Sequence, residues 1–411
     1  MIQRGKEVKM VAQLDKIFDS FDRHSVFKDK HILQTSYSPE EIPHRDGQIK
    51  QIASILAPVL RGERTSNLFV YGKTGTGKTL SIQYVKDELL KRSERNTDFK
   101  LRIEYLNCKL RKVSDTEYRI LAELIKKLGG EVPITGLPTE AVYSKFIEIV
   151  DKEKQLLVLV LDEIDQAVKK ISDGFLYNLT RLNSELSKAQ LCIVGISNDL
   201  TFLDHVDPRI RSSLSEEEIV FPPYNALQLQ DILNKRAKGA FRENIIQDGV
   251  IAKCAAFAAR EHGDARRALD LLRIAGELAE RDGSSKILVS HIDEANNKIE
   301  RDKILDVIKS EPKQFQLVLS SIIQLTDKKQ EPIFTGDVYN LYEDLCKRRK
   351  CEILTQRRVS DIVQEFDMLG IINVKVISKG RGGRMREIKL AISKNIMEKA
   401  KEIIKDSLNY G

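Results

Sequence analysis

The sequence predicts an α/β fold built on a parallel sheet, followed by a small helical domain and a C-terminal winged helix. Three observations predict it. A glycine-rich loop follows one apolar run, and two further unbroken apolar runs end in carboxylate or amide side chains. Near the C-terminus, two closely spaced helical patterns precede an alternating hairpin. We therefore expect three domains, at residues 1–222, 223–304 and 305–411.

The first predicted strand leads into a loop of glycines, lysines and threonines. The stretch NLFVYGKTGTGKTL, residues 67–80, contains the complete spacing G-x-x-x-x-G-K-T. Glycines allow backbone angles that turn successive N–H groups inward around phosphate oxygens at a helix start. Lys78 is expected to reach the β- and γ-phosphates, and Thr79 to ligate Mg²⁺. The loop residues expected to bind ATP or ADP are Gly72, Lys73, Thr74, Gly75, Thr76, Gly77, Lys78 and Thr79.

Two more buried strands bring polar residues to the same edge of the sheet. The run QLLVLVLDEID, residues 155–165, delivers Asp162 and Glu163 to the edge where ligands bind in parallel sheets. Asp162 suits a position next to Mg²⁺, and Glu163 suits a base that polarises a water toward the γ-phosphate. Asp165 is expected to cap the following helix. Asn198 ends the third run, QLCIVGISND, and its neutral amide can orient the attacking water.

Composition indicates a folded, multidomain chain. Hydrophobic residues form 41% and charged residues 31% of its 411 residues, as in soluble globular proteins. The five cysteines contain no C-x-x-C pair, which favours reduced thiols. No apolar run reaches membrane-spanning length, and the first residues lack the apolar core of a signal peptide. We expect a cytoplasmic protein with no membrane partner.

The positive charge of the chain is concentrated near the C-terminus. Residues 301–411 contain 22 lysines and arginines against 16 aspartates and glutamates, an excess of six, and the whole chain has a net charge of +7. Residues 347–390 contain 12 basic and five acidic side chains. Charge alone leaves open whether this cluster is a solvated face or binds a polyanion.

The pattern around that cluster predicts a helix-turn-helix. Thr335 is the expected cap of a first helix, and Thr355 and Gly370 are the expected start and stop of a second. Two capped helices with so short a connection are typical of this motif. Side chains near the start of the second helix have lengths and donors suited to base edges in a major groove. They are Thr355, Gln356, Arg357, Arg358 and Ser360.

An alternating hairpin follows the second helix. Its apolar positions flank the turn GRGGR, residues 380–384, so that Arg381, Gly382, Gly383 and Arg384 lie at or beside the tip. An arginine there can enter a minor groove or clamp phosphates. We interpret helices and hairpin as a winged helix that binds duplex DNA, and a winged helix that docks protein is the alternative.

Arginines between the two ends of the chain have the positions needed to sense a nucleotide. Arg209 and Arg211, in DPRIRSSL, can reach a γ-phosphate held by a neighbouring subunit. The alternative for each is a local ion pair with Asp204 or Asp207. In REHGDARRALDLL, Asp264 is expected to cap a helix whose first turn holds Arg266 and Arg267, of which one can touch nucleotide from a helical lid.

This ordered set of motifs resembles the AAA+ replication initiators, and the archaeal origin-recognition/cell-division-control proteins above all. The resemblance covers residues from about 36 to about 392. It implies an AAA+ P-loop ATPase core, a lid and a C-terminal winged helix. It also implies that Pro43, His44 and Arg45 lie beside the adenine, and we place Tyr224 among the nucleotide-binding residues.

The resemblance gives the remaining roles. It makes Asn198 the sensor-one residue, Arg266 the sensor-two arginine and Arg209 the arginine finger, with Arg211 in reserve. It implies a nucleoid-associated protein whose partners are duplex origin DNA, other initiator subunits and the replicative helicase. ATP is expected to act as a conformational switch. The helical stretch at residues 171–186 matches a DNA-approaching insertion of initiators, or is an ordinary core helix.

Other functions share parts of this pattern. A clamp loader has the same ATPase core but usually ends in a helical collar. A signalling NTPase or transcription regulator joins a nucleotide switch to a winged helix without a replication role. A helicase motor needs a closed ring stimulated by single-stranded DNA.

Overall fold

The computed structural model describes residues 25–94, 99–109, 116–133, 136–214, 216–328, 332–378 and 384–409. The chain forms two compact units, residues 1–292 and 293–411. Within the described ranges, no helix combines the length and the apolarity that crossing a lipid bilayer demands. The three predicted domains and the two boundaries between them stay predictions.

The first unit is built on a five-stranded parallel sheet. Its strands are β1 (Asn67–Tyr71), β2 (Lys100–Asn107), β3 (Gln155–Asp162), β4 (Gln190–Ser197) and β5 (Glu216–Val220). They pair in the order β2-β3-β4-β1-β5. In register, Asp162 pairs with Asn107 on one side and Ile196 on the other. The loop after β1, the end of β3 and the end of β4 therefore lie at one edge of the sheet.

Helices cover both faces of this sheet. They are α1 (Asp46–Leu56), α2 (Lys78–Ser93), α3 (Glu117–Lys127), α4 (Thr139–Val150), α5 (Ile164–Ile171), α6 (Gly174–Arg181) and α7 (Pro208–Leu214). Alternate residues of β3 pack into two separate apolar clusters, one on each face, which explains its unbroken apolar sequence. Phe175, Leu176 and Leu179 of α6 are buried in one of them, so this helix has the apolar stripe of a core helix.

A helical segment completes the first unit. It contains α8 (Ala226–Ala240), α9 (Val250–Arg260), α10 (Ala265–Arg281) and the start of α11 (Val289–Ser310), which continues into the second unit. Asn225 and Gln228 form a reciprocal capping box at α8. Asp264 caps α10 as predicted, since its carboxylate accepts hydrogen bonds from the N–H groups of Arg266 and Arg267 at 2.8 and 3.4 Å.

The second unit has the elements of a winged helix. After α11 come α12 (Lys313–Asp327), β6 (Ile333–Phe334), α13 (Thr335–Arg349), α14 (Gln356–Met368), β7 (Ile372–Ser378), β8 (Arg384–Leu390) and α15 (Lys394–Asn409). The strands form an antiparallel sheet in the order β6-β8-β7. The short strand β6 has no signal in the sequence pattern, because two residues are too few to show an alternation.

The two helix-turn-helix boundaries differ in how well the sequence predicted them. Thr355 is the cap of α14, and Gly370, at φ 71°, ends it by letting the Ile371 N–H reach the Phe366 carbonyl. Thr335, in contrast, is not the cap of α13 but its first residue. The side chain of Asp337 accepts a hydrogen bond from Phe334 N–H at 2.9 Å instead.

The five cysteines are free thiols. Cys108, Cys192, Cys254 and Cys346 are buried, and burial raises the pKa of each. Cys351, between α13 and α14, is half-buried. Four of these thiols thus behave as small apolar core residues.

Candidate functional site

The loop after β1 borders a cleft of about 770 Å³ in the first unit. At Gly75, with φ 71°, an added Cβ would lie 1.7 Å from a carboxylate oxygen of Asp264. At Gly77, with φ 91°, it would lie 2.8 Å from the hydroxyl of Tyr224. Only glycine fits at these two positions. The backbone of the loop can therefore approach a phosphate closely. The cations, hydroxyls and carboxylates that line the cleft suit a nucleotide with Mg²⁺.

Most of the predicted nucleotide residues line this cleft. Those that do are Pro43, Thr74, Gly75, Thr76, Gly77, Lys78, Thr79, Asp162, Glu163, Asn198, Tyr224 and Arg266. The exceptions are Gly72, Lys73, His44 and Arg45; Lys73 borders a separate, shallower groove of about 460 Å³. The cleft thus brings together these side chains from six separate parts of the sequence.

Lys78 joins the loop to the predicted sensor. Its buried ammonium donates hydrogen bonds to the carbonyls of Gly72 and Lys73 at 2.7 and 2.9 Å, and to Oδ1 of Asn198 at 2.9 Å. Burial lowers its pKa to about 8, partly offset by the charge of Asp162. The cation is thus held at the loop by oxygen acceptors, among them the amide that the sequence pointed to.

Asp162 is held by three donors. The Thr79 hydroxyl donates to its Oδ2 at 2.8 Å, the Tyr105 hydroxyl donates to the same oxygen at 2.7 Å, and the Glu163 N–H donates to Oδ1 at 2.9 Å. Burial, together with the hydrogen bond to Asp162, raises the pKa of Tyr105. Sequence reasoning missed Tyr105. Its position near the end of β2, next to β3, was the available signal.

Glu163 and Asp165 occupy different environments. Glu163 stands at the start of α5 with φ 56°, and its carboxylate lies 3.4 Å from the ammonium of Lys109. The sequence suggested that Asp165 caps that helix. This prediction is wrong, because Asp165 lies inside the first turn. Its buried carboxylate accepts hydrogen bonds from the Ser197 hydroxyl at 3.2 Å and the Asn198 N–H at 3.4 Å. It therefore fixes the backbone of Asn198.

The predicted adenine box divides into separate contacts. Pro43 lines the cleft, and His44 Nε2 lies 2.9 Å from Asp231 on α8. Arg45 is 2% exposed and donates to the carbonyls of Thr76 and Pro222. Its guanidinium thus contacts the backbone of the loop and does not line the cleft.

The far end of the cleft was not predicted from the sequence. It includes Ile32, Tyr37, Ile42, Ile232 and Arg236. The Arg236 guanidinium lies 4.6 Å from the centre of the Tyr37 ring and donates to the Ile32 carbonyl at 3.2 Å. Apolar, aromatic and cationic faces suit a flat heterocycle. Ile32, Ile232 and Arg236 carry no motif, whereas Tyr37 and Ile42 belong to the stretch before Pro43 that resembles the family's N-terminal box.

The four arginines that the sequence offered as nucleotide sensors have different surroundings. Arg266 lines the cleft, whereas Arg267 lies 3.2 Å from Glu261. Arg209 makes two hydrogen bonds to Asp207 at 3.1 and 2.9 Å, which lowers the pKa of that carboxyl to about 2, and its side chain is 89% exposed. Arg211 bonds Asp204 at 2.9 Å. Both arginines of α7 thus make the local pairs considered from the sequence, and exposed pairs of this kind are weak and exchangeable.

In the second unit, the start of α14 presents polar side chains to solvent. Thr355, Gln356, Arg357 and Arg358 are exposed, and Arg358 lies 3.9 Å from Glu365. The Ser360 hydroxyl accepts a hydrogen bond from Arg386 of β8 at 2.7 Å, which joins helix and hairpin. Arg381, Gly382, Gly383 and the side chain of Arg384 lie outside the described residues.

Family models match three parts of the chain. An AAA domain matches residues 61–201, a Cdc6 AAA+ ATPase-type lid domain matches residues 230–297, and a CDC6 C-terminal winged helix domain matches residues 306–400. The predicted AAA+ core, helical lid and winged helix are therefore confirmed as the fold class.

Relatives of similar length share about half of the sequence. The ORC1-type DNA replication protein of Thermococcus onnurineus is 52% identical over 385 residues, which are 92% of each chain. ORC1-type DNA replication protein 1 of Methanosarcina mazei is 49% identical over 382 residues, 92% of this chain and 91% of its own.

A solved structure agrees with these relatives. The Aeropyrum pernix ORC1 protein in complex with DNA matches 94% of this chain and 98% of its own, with a TM-score of 0.80 and 40% identity. The resemblance to archaeal initiators is confirmed. The chain belongs to the family of ORC1-type DNA replication proteins.

Proposed function

We propose that this protein is an ATP-dependent initiator of DNA replication that binds duplex origin DNA through its winged helix and ATPase domain. It distorts that duplex and helps to recruit and load the replicative helicase. The observation that carries the proposal is the joining, in one chain, of an AAA+ nucleotide site with a winged helix whose α14 begins with exposed cations. The 40% identical ORC1 protein of known structure was solved in complex with DNA.

The nucleotide part of the proposal rests on the cleft beside the loop. Lys78 and the N–H groups at the start of α2 bind phosphate oxygens, while Thr79 and Asp162 hold Mg²⁺. Asn198, fixed by Asp165, orients water, and Glu163 accepts its proton. Bound ATP supplies the phosphoryl group on which these residues act.

We propose that hydrolysis is slow and regulatory. The Glu163 carboxylate lies 3.4 Å from the ammonium of Lys109, and Arg209 is paired with Asp207 within its own subunit. Before turnover, the Glu163 carboxylate must separate from the Lys109 ammonium, and Arg209 must exchange Asp207 for the nucleotide of another subunit. Contact with another subunit is the event that rearranges them, so assembly on DNA controls the ATPase.

The DNA part rests on α14 and the hairpin. Gln356 and Arg357 at the start of α14 read base edges, and Arg358 follows them on the same turn. The arginines of the GRGGR turn clamp the backbone or enter a minor groove. One short helix and one wing offer few base contacts, so several subunits occupy each origin.

The test is fluorescence anisotropy on a duplex origin fragment and on a scrambled duplex, across a salt series. The wild-type protein should prefer the origin by about tenfold or more, and its affinity should fall steeply with salt because phosphate contacts release counterions. Arg357→Ala and Arg384→Ala should both weaken binding. Lys405→Ala, which removes an exposed cation of α15, is the matched control.

Equal binding to both duplexes with silent arginine variants would contradict the proposal. That result would favour a winged helix that docks protein, and with it a nucleotide-switched signalling or transcription regulator. Helicase recruitment is tested separately, by pull-down of the replicative helicase on origin DNA with and without ATP.

A further inference from the structure

Arg45 is a buried cation that contacts two distant backbone segments. Its Nε donates a hydrogen bond to the carbonyl of Thr76 at 2.8 Å, and its Nη2 donates to the carbonyl of Pro222 at 2.6 Å. Its side chain is 2% exposed. A guanidinium presents its donors in a fixed planar fork, so two carbonyls bound by one fork are held at a fixed separation.

Aromatic rings complete the surroundings of this guanidinium. It lies 3.9 Å from the centre of the Tyr224 ring and 5.4 Å from that of Phe221. Among the described residues, its hydrogen bonds go to carbonyl oxygens and to the Tyr224 hydroxyl, and none goes to a carboxylate. Burying a cation without a carboxylate is unfavourable, and desolvation lowers the pKa of Arg45 accordingly. The surroundings of Arg45 therefore fix the position of its guanidinium and do not neutralise its charge.

The two carbonyls belong to parts of the first unit that have different tasks. Thr76 lies inside the phosphate-binding loop. Pro222 and Tyr224 lie between β5 and α8, where the sheet gives way to the helical segment. Tyr224 also touches the loop, since its hydroxyl occupies the space beside Gly77. The side chain of Arg45 thus joins the loop to the hinge of the lid.

A second contact joins the lid to the residue that precedes Thr76 in the loop. The Ala265 N–H, at the start of α10, donates to the Gly75 carbonyl at 3.2 Å, and the Asp264 carboxylate packs against Gly75. Two consecutive loop residues are therefore joined to the helical segment, Thr76 to its hinge through Arg45 and Gly75 to the start of α10. A shift of the loop must be transmitted to both.

We propose that Arg45 is a positioning residue that couples the phosphate-binding loop to the lid hinge, so that nucleotide at the loop changes the orientation of the lid. This proposal deepens the nucleotide switch proposed above and rests on it. It differs from the expectation drawn from the sequence, in which Arg45 lies beside the adenine, because its donors face backbone carbonyls of the chain.

The test is hydrogen–deuterium exchange of the full-length protein with and without Mg-ADP, combined with ADP titration by calorimetry. Arg45→Gln removes the guanidinium fork, and Arg45→Lys keeps only its charge. Tyr224→Leu removes the aromatic ring that the guanidinium faces. Arg273→Gln is the matched control, since Arg273 is a partly buried arginine of α10 that pairs with Asp270 and Glu277, away from the loop.

In the wild type, ADP should protect both the loop, residues 72–80, and the lid segments at residues 221–228 and 265–272. In Arg45→Gln, ADP affinity should fall by about tenfold. The substitution removes the two charged hydrogen bonds that hold the loop and the hinge in the geometry that binds ADP. Protection should then remain at the loop but be lost at residues 221–228. Arg45→Lys should restore part of both effects, whereas Arg273→Gln should behave as the wild type.

Two results separate this proposal from the one on which it rests. If the wild type binds no ADP, the nucleotide function fails, but exchange without ADP still tests the coupling: Arg45→Gln should speed exchange at the loop and the hinge together. If the loop and hinge of Arg45→Gln exchange as in the wild type, or if ADP still protects the hinge of this variant fully, the coupling role is wrong. Should Arg45→Gln fail to fold, Arg45→Lys and Tyr224→Leu provide the same comparison.

Discussion

Tyr105 and Thr79 donate hydrogen bonds to the same oxygen, Oδ2 of Asp162, at 2.7 and 2.8 Å. Thr79 was expected at this place from its motif, whereas Tyr105 comes from a neighbouring strand. We expect its hydroxyl to fix the orientation in which the Asp162 carboxylate would bind Mg²⁺, as partners of metal-binding carboxylates commonly do.

Tyr105→Phe removes one of the three donors to Asp162 and leaves the ring in place. We expect the Mg²⁺ concentration for half-maximal ATP binding to rise by about tenfold. A fluorescent ATP analogue titrated with Mg²⁺ measures it. Tyr84→Phe, at an exposed tyrosine of α2, is the control. An unchanged Mg²⁺ requirement would show that Thr79 and the Glu163 N–H suffice.

Lys78→Ala removes the cation that lies between the loop carbonyls and Asn198. We expect nucleotide binding to be lost, since the phosphates then lose the cation that the loop itself supplies. Duplex DNA binding should persist because α14 is in the other compact unit. Calorimetry with ATP and anisotropy with DNA measure the two separately. Loss of both would point to misfolding, which a thermal melt detects.

Glu163→Gln keeps the shape of the side chain but cannot accept a proton. ATP affinity should stay within about twofold, while turnover should fall by about 10² or more. Single-turnover hydrolysis is the measurement, and Glu217→Gln, at an exposed residue of β5, is the control. A normal turnover rate in Glu163→Gln would overturn the assignment of the base.

The lowered pKa of Lys78, about 8, predicts how nucleotide affinity depends on pH. Bound phosphate favours the charged lysine, so the complex holds this proton more tightly than the free protein does. Affinity is therefore full below pH 8 and falls as the pH rises through 8 and above. Calorimetry with ADP from pH 7 to pH 9.5 measures this fall. A flat profile would mean that Lys78 stays charged throughout.

Phe366 packs its ring edge-to-face with Phe315, at 6.1 Å between centroids, in the core of the second unit. Phe366→Ala should lower the free energy of unfolding of that unit by about 3–5 kcal/mol, because it leaves a cavity. Urea unfolding measured by circular dichroism tests this. Met368→Ala is the control, since Met368 is 73% exposed on the same helix and should change stability little.

How much the sequence predicted depends on how local each signal is. The spacing from Gly72 to Thr79, the apolar run before Asp162 and the cap at Thr355 are set by nearby residues, and each lies where it was expected. The inward turn of Arg45 and the contact of Asp264 with Gly75 arise only when distant segments meet. Asp165 was expected to be a cap because it stands near the start of a helix. Its actual partners, Ser197 and Asn198, lie one strand away and have no local signal in the sequence. Roles that were assigned to individual site residues stay predictions.

The burial of four of the five cysteines has a practical consequence. A thiol whose pKa is raised by burial carries little thiolate at neutral pH and reacts slowly. Cys351 is half-buried and stands in the connection between α13 and α14. A maleimide dye should therefore attach mainly at one position, beside the helix that begins at Gln356. The unaltered chain thus contains an attachment site for an optical reporter, with which the proposed approach of a duplex to that helix can be followed.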